Sequence, residues 1–334
     1  MQKKYAVYGI GAALVDTEIN VDDADLEHMG VEKGLMTLVD AGRQAQLLDH
    51  LEGHLVRASH ASGGSAGNSL IATARFGAPT FMSCKVAADT DGDIYVRDLE
   101  AAGVDHSMTG EREPGTTGKC LVMISPDAER SMNTHLAISE SLGVAQVVPE
   151  AVEASEYIYL EGYQVTSDTG RAAAIRVREI AEAAGVKTSI SFSDPGMVEF
   201  FREGLVAMMG ERVHLVFCNA AEACGWGQTD NLDVAVERLK QVADTFVVTR
   251  GGEGAITYDG SELVSIPPHR VMAVDTNGAG DMFAGAFLYA LSRGEDYPTA
   301  GRFASLAAGR VVSQYGPRLP AGDYRDLRRE FFGD

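Results

Sequence analysis

The sequence predicts an α/β protein, a three-layer α/β/α sandwich whose central sheet is mostly parallel, with a small β-rich unit attached to it. Three observations carry that expectation. Strand-like apolar runs alternate with helical runs along most of the chain, the pattern of a parallel sheet covered by helices on both faces. Two regions, about 17–62 and 116–136, interrupt the alternation with extended pieces that do not alternate with helices in the same way. The 334 residues, 45% hydrophobic and 23% charged, can bury one large core, and no repeat, low-complexity linker or long charge block divides them. The expected organisation is a single α/β domain over 1–334 with the β-rich subdomain built from the two interrupting regions.

Taken in order, Tyr5–Ile10 is a short apolar run ending in Gly9-Ile10-Gly11, a buried strand closed by a turn. Within the first irregular region, Ala41–Leu51 has helical spacing and the stretch near His54–His60 reads as extended. Ser65–Phe76 is helical, Thr80–Cys84 strand-like, and Ile94–Ala102 a helix stopped by Gly103. Gly118–Ile124 and Arg130–Leu136 form a hairpin around Ser125-Pro126-Asp127-Ala128. The body then resumes: strand Tyr157–Leu160, an alanine-rich helix from about Thr169 to Ala184 ended by Gly185, and strand Thr188–Phe192. Helix Met197–Met209, strand Val213–Cys218, helix Leu232–Val242 and strand Thr245–Thr249 follow. Helices Ala279–Ser292 and Ala300–Ser313 complete it.

Composition narrows the function. With 48 acidic against 28 basic residues the formal charge is −20. Such a surface repels phosphate backbones and anionic headgroups, so nucleic acid and membrane are not expected partners. Four cysteines, Cys84, Cys120, Cys218 and Cys224, make no CxxC pair and no zinc spacing, which fits structural thiols in a reducing compartment. The N-terminus leads directly into the first strand-like run, and the most apolar stretch, Met282–Leu291, is too short to span a bilayer. A soluble, cytoplasmic protein is expected.

The informative segment is Asp275-Thr276-Asn277-Gly278-Ala279-Gly280-Asp281, immediately followed by an apolar helix. Small residues at 278–280 leave bare amides at a helix N-terminus, where the helix dipole favours an anion. Phosphoryl transfer needs charge stabilisation on the migrating oxygens and a base near the attacking hydroxyl. One glycine-rich turn with an aspartate in it supplies both. An isolated Gly-x-Gly-Asp would equally serve as an ordinary helix start, with Asp281 as a cap.

The segment resembles the C-terminal signature of the ribokinase-like (PfkB) carbohydrate and nucleoside kinases, and four further stretches match that family in order. Gly63-Gly64-Ser65-Ala66-Gly67-Asn68 resembles its N-terminal glycine motif, Asn219-Ala220-Ala221-Glu222 its Asn-x-x-Glu motif, and Thr249-Arg250-Gly251-Gly252-Glu253-Gly254 its nucleotide loop. Asp16 falls where the family keeps a substrate-binding aspartate. The resemblance covers about residues 5–320 and implies a ribokinase-like fold whose β-rich part is a lid.

It further implies an ATP- and Mg2+-dependent kinase in which Asp281 is the general base and Gly278, Ala279 and Gly280 receive the transferring phosphoryl group. Asp16, Gly63, Gly64 and Asn68 match the acceptor site. Asn219, Thr249, Gly251, Gly254 and the hairpin residue Arg130 match the ATP site, and Glu222 matches the residue that organises magnesium, in part through water. Whether a monovalent cation (K+) takes part is left open. Each residue also has a plainer reading: Asn219 and Glu222 as a helix cap, Gly251–Gly254 as a hairpin turn, Arg130 as a solvated side chain, Asp16 and Asn68 in turn and cap duty.

Within the family the chain looks like the adenosine-kinase branch. Asn277 in the signature and the long segment between Asp16 and Gly63 support this, and such a lid implies a monomer. Against it, Ala12 stands where a ribose-holding asparagine is often found, and Gln164 where an aromatic would stack on a base, with Tyr163 beside it as a substitute. The expected acceptor is therefore a nucleoside, with a free or modified sugar as the alternative and a non-catalytic ligand-binding protein on a kinase fold as the reading from another class. Two other glycine segments are not nucleotide motifs. Gly115–Cys120 has Glu113 where a P-loop needs glycine, and Gly9-Ile10-Gly11 has Leu14 where a dinucleotide fingerprint needs its third.

Overall fold

The structure, a computed structural model, describes residues 3–54 and 56–334, and residues 56–61 by their backbone alone. Met1 and Gln2, included in the reading of the N-terminus, lie outside the described residues. The strands are β1 (Tyr5–Ile10), β2 (Leu14–Asn20), β3 (Met36–Leu38), β4 (Val56–Gly63), β5 (Thr80–Ser83), β6 (Val104–His106), β7 (Gly118–Ile124), β8 (Arg130–His135), β9 (Ser155–Glu161), β10 (Lys187–Ser191), β11 (Val213–Asn219), β12 (Ala243–Thr249), β13 (Ala255–Tyr258) and β14 (Leu263–Ile266).

Nine of them form one sheet in the order β14-β13-β12-β11-β10-β9-β1-β5-β6. All its neighbours from β12 to β6 pair in parallel, and β13 and β14 add an antiparallel edge. Every residue of β1 is buried, as expected for a strand covered on both faces. Alternate side chains go to opposite layers. Tyr8, Ile10, Ile158, Leu160, Ile190, Val216, Phe246 and Val248 pack with the helices Asp168–Ala183, Arg202–Met209 and Leu232–Leu239. Val7, Tyr157, Tyr159, Leu215, Phe217 and Val247 pack with Ser65–Phe76, Ala279–Ser292 and Tyr297–Val312 on the other side. The result is the α/β/α sandwich that the alternation predicts.

A second sheet, β3-β8-β7-β2-β4, lies apart from the first in strand pairing. One of its faces carries Ile19, Leu121 and Met123, which pack against Leu26 and Met29 of the helix Asp23–Met29 and Leu47 of the helix Ala41–His50. Its other face carries Leu14 and Asp16 of β2, Met132 and Thr134 of β8, and Met36 and Leu38 of β3, and looks into a cavity shared with the main sheet.

Three elements differ from the sequence expectation. The helix Asp23–Met29 lies in the first irregular region, where the one helical run expected is Ala41–Leu51; Asp22 starts it with a reciprocal capping box to Asp25. The single helix expected over Met197–Met209 is two, Pro195–Phe200 and Arg202–Met209, because Phe201 leaves helical geometry at φ −124°, ψ 23°. A terminal helix, Asp323–Phe332, buries Tyr324 and Leu327 on the core although its composition is dominated by charge.

Candidate active site

Parallel strands deliver their C-terminal ends to one edge of the sheet, the place where α/β proteins bind ligands. Here β1 runs out to Ala12, β9 to Glu161 and Tyr163, β10 to Ser191 and Ser193, β11 to Asn219 and β12 to Thr249, and all of these residues line one cavity of about 450 Å3. The inner face of the second sheet roofs it, and residues 276–281 close one side.

The apolar helix begins at Ala279, with Gly278 before it in the left-handed region (φ 71°, ψ 4°) and no side chain capping its amides. Glycine is required at 278: the backbone turns through a positive φ while Pro317 packs directly against it. A methyl group on Gly280 would meet nothing within 4 Å, so the first helical turn is bare toward the cavity. The Ala279 amide donates to Thr276 O at 3.3 Å within the turn, which leaves the following amides as the open donors at this helix end.

Asp281 does not cap its own helix. Its Oδ1 accepts from Ser65 Oγ at 2.7 Å and its Oδ2 from the Asn68 amide at 3.0 Å, both on the helix that opens at Ser65. Burial pushes the Asp281 carboxyl above its ordinary pKa, while these two hydrogen bonds and the charge of Arg130 hold it back. This half-buried carboxylate borders the cavity, where it is placed to take a proton from a bound hydroxyl.

Asp16, on β2, faces the same cavity. Its Oδ1 is buried without a partner, and burial together with neighbouring Glu18 pushes its pKa up to about 7 against the pull of Arg318 and Arg130. Asn68 Oδ1 is likewise buried and unpartnered. Acceptors of this kind beside one cavity can take hydroxyl donors. Gly63 lies beneath Asp16, and any side chain there would overlap that carboxylate; Gly64 lines the cavity itself.

At the far side, Asn219 and Glu222 cap the helix Ala220–Trp226 reciprocally. Glu222 N donates to Asn219 Oδ1 at 2.8 Å, Asn219 N to Glu222 Oε2 at 3.0 Å, and the Asn219 amide to Glu222 Oε1 at 2.7 Å. Both carboxylate oxygens are thus engaged, and burial pushes the group to about 7 despite these bonds. Such a carboxylate would hold a hydrated Mg2+ through its waters, not by direct ligation, which fits an ion that keeps several waters and takes its other oxygens from phosphates. Among the described residues no cluster of three or more acidic, histidine or cysteine side chains stands at metal-binding distance.

Of the sequence-predicted residues, Asp16, Gly64, Asn68, Arg130, Tyr163, Asn219, Glu222, Thr249, Gly251, Gly278, Ala279, Gly280 and Asp281 all line the cavity. Gly63 sits behind Asp16. Gly254 does not reach the cavity; it forms the turn into β13, packed on Ile266 and the Pro267-Pro268 backbone. Gln164 is turned away too, donating to Glu161 Oε1 at 3.2 Å, whereas Tyr163 faces the cavity with its hydroxyl donating to Ser193 O at 3.2 Å. Arg130 reaches across from the hairpin and donates from Nη1 to Thr276 O at 3.2 Å.

Sequence reasoning missed Ser65, Glu161 and the apolar wall of Met36, Leu38, Met132 and Leu136. Glu161 is 1% exposed and accepts from the amides of Ala12 at 3.1 Å and Ala66 at 2.8 Å, tying the two glycine turns together. An acid closing the apolar run Tyr157–Leu160 was its signal.

The profile described as pfkB family carbohydrate kinase matches residues 39–322. A solved structure named adenosine kinase from Sinorhizobium meliloti is 33% identical, with a TM-score of 0.92 over 98% of this chain and 99% of that one. One named probable sugar kinase from Rhizobium etli CFN 42 is 32% identical, TM-score 0.93, over 98% and 99%. Adenosine kinase of Schizosaccharomyces pombe is 26% identical over 340 residues, 95% of this chain and 96% of that protein. Among the described residues no helix is long and apolar enough to cross a membrane.

Proposed function

Because this chain belongs to the pfkB family of carbohydrate kinases, a phosphotransferase that uses ATP and a nucleoside or sugar acceptor, we propose that its acceptor is a purine nucleoside and that Asp281 takes the proton from the acceptor's primary hydroxyl. The observation that carries this is the shared cavity: the Asp281 carboxylate, the open helix end at 278–281 and Asp16 all border one space. An acceptor hydroxyl beside Asp281 would face a phosphoryl group resting on the amides of that helix end, with ribose hydroxyls on Asp16 and Asn68.

The roof supports a nucleoside over a free sugar. Besides Asp16 the cavity is lined by Leu14, Met36, Leu38 and Leu136, and by Tyr163. A free pentose is polar all round and has nothing to bury there, whereas a base presents an apolar face to such a slot. The names of the Sinorhizobium and Schizosaccharomyces relatives support the same reading.

ATP would lie along Asn219, Thr249 and Gly251, with Arg130 over its phosphates and a hydrated Mg2+ organised by Glu222. Mg2+ supplies charge neutralisation to the phosphates when bound. The second sheet would act as a lid that excludes water during transfer. Its outer face is already covered by the chain's own helices, which supports a monomer. An ADP-release assay with adenosine, guanosine, uridine, ribose and fructose tests the reading. Adenosine is expected to exceed ribose by about 100-fold or more in kcat/KM, in line with stacking worth about 1–3 kcal/mol plus apolar burial; a preference for ribose or fructose would overturn it.

A further inference from the structure

Strand β2 presents Leu14, Asp16 and Glu18 to one face at the two-residue period of a strand. Leu14 and Asp16 line the cavity, but Glu18 lies deeper, 0% exposed. Its Oε1 accepts from the Asn277 side-chain amide at 3.2 Å, and its Oε2 has no partner. Asp275, also 0% exposed, stands in the same pocket and accepts from Asn277 N at 2.8 Å and Gly316 N at 2.9 Å. Two buried acids side by side, one of them half satisfied, oppose folding; an apolar residue at position 18 would be the cheaper filling.

What the carboxylate provides is a connection. Asn277 immediately precedes Gly278, where the chain turns into the open helix end. The same loop is fastened to the second sheet at the preceding residue, through Arg130 Nη1 to Thr276 O at 3.2 Å and Thr276 Oγ1 to Ala128 O at 3.0 Å. The two residues on either side of the turn's entry are therefore held by β2 and by the β7–β8 hairpin, while Asp275 is held by the body.

We propose that Glu18 is a positioning residue for phosphoryl transfer: by gripping Asn277 it sets the turn that aims the open amides of Gly280 and Asp281 only when β2, which carries Asp16, is seated over the cavity. Acceptor seating and assembly of the anion cradle are then one event. The inference rests on the kinase reading above and adds to it a residue that touches neither substrate.

Steady-state kinetics with Mg-ATP and adenosine test it, on the wild type, E18A, E18Q, N277A and the E18A/N277A pair, each with its thermal midpoint. E18A and N277A are expected to lose about 10-fold or more in kcat with the adenosine KM within threefold. E18Q keeps an acceptor oxygen for Asn277 and should stay within threefold of wild type. The double variant should be no slower than the slower single, since both remove one hydrogen bond. A kcat for E18A within threefold of wild type, multiplying losses, or an E18Q as slow as E18A would each overturn the proposal. A residue of purely structural importance would lower the midpoint without separating kcat from KM. Should E18A not fold, N277A against E18Q decides by the same criteria. A wild type inactive on every acceptor sinks the kinase reading, whereas an active wild type with an indifferent E18A sinks only the role of Glu18.

Discussion

Asn68 and Asp281 lie 213 positions apart, yet the Asn68 amide donates to Asp281 Oδ2 at 3.0 Å, and Ser65 Oγ donates to the other oxygen at 2.7 Å. The helix that follows the Gly63-Gly64 turn thereby fixes a carboxylate at the head of the helix Ala279–Ser292. Replacing the carboxylate while keeping its shape isolates its chemistry. Asp281→Asn is expected to lower kcat about 10³-fold or more while ATP binding, followed by calorimetry, stays within a few-fold.

Loosening the grip tests the electrostatics. Both hydrogen bonds favour the charged carboxylate and so lower its pKa. Removing one in Asn68→Ala raises that pKa, and the acid limb of the kcat/KM profile should move measurably to higher pH. An unmoved acid limb would separate Asp281 from the observed titration.

Two glycines of one turn should respond oppositely. Gly278 has φ 71° and no room beside Pro317, so Gly278→Ala should cost about 2 kcal/mol or more of stability. Gly280 is helical with open space before it, so Gly280→Ala should leave the midpoint unchanged or raise it, by up to about 1 kcal/mol. Its methyl would nevertheless occupy the phosphoryl approach, and kcat should fall about 10-fold. Urea denaturation and kinetics on the pair read both effects.

Stability itself should depend on pH in an uncommon direction. Asp16, Glu18, Glu161 and Glu222 are all pushed to about 7 by burial. Their unfolded values lie near 4, so between these limits the folded chain binds more protons, and stability falls as pH rises. His214, held below its ordinary value by burial, acts in the opposite sense but only up to about pH 6.5. Between pH 6.5 and 8.0 the ligand-free midpoint should therefore drop by a few degrees. A midpoint that rises over this interval contradicts the assigned environments.

The sequence made the frame and the chemical centre legible because both are local. A glycine pair before a helix, or Asn-x-x-Glu at a strand end, declares its backbone within a few residues. Gly254 shows the limit of that logic: the motif contains it, but the backbone it shapes belongs to the turn into β13 and not to the cavity. The apolar wall of the cavity was illegible for another reason. Met36, Leu38 and Met132 are brought together by the pairing of β3 with β8, and a three-residue strand has too short a period to announce itself. Glu18 was hidden in the same way, since its partner Asn277 is brought to it by the seating of one sheet on the other.

Asp16, Glu161, Glu222 and Asp281 surround one space, and that arrangement bears on how a turnover cycle ends. A nucleoside or sugar acceptor would arrive uncharged and depart as a phosphate monoester carrying nearly two negative charges. Burial pushes Asp16, Glu161 and Glu222 to about 7, so near neutral pH each is balanced between a neutral neighbour and a like charge to that product. Rising pH therefore turns the surroundings against the monoester, and its departure should quicken as these groups lose their protons.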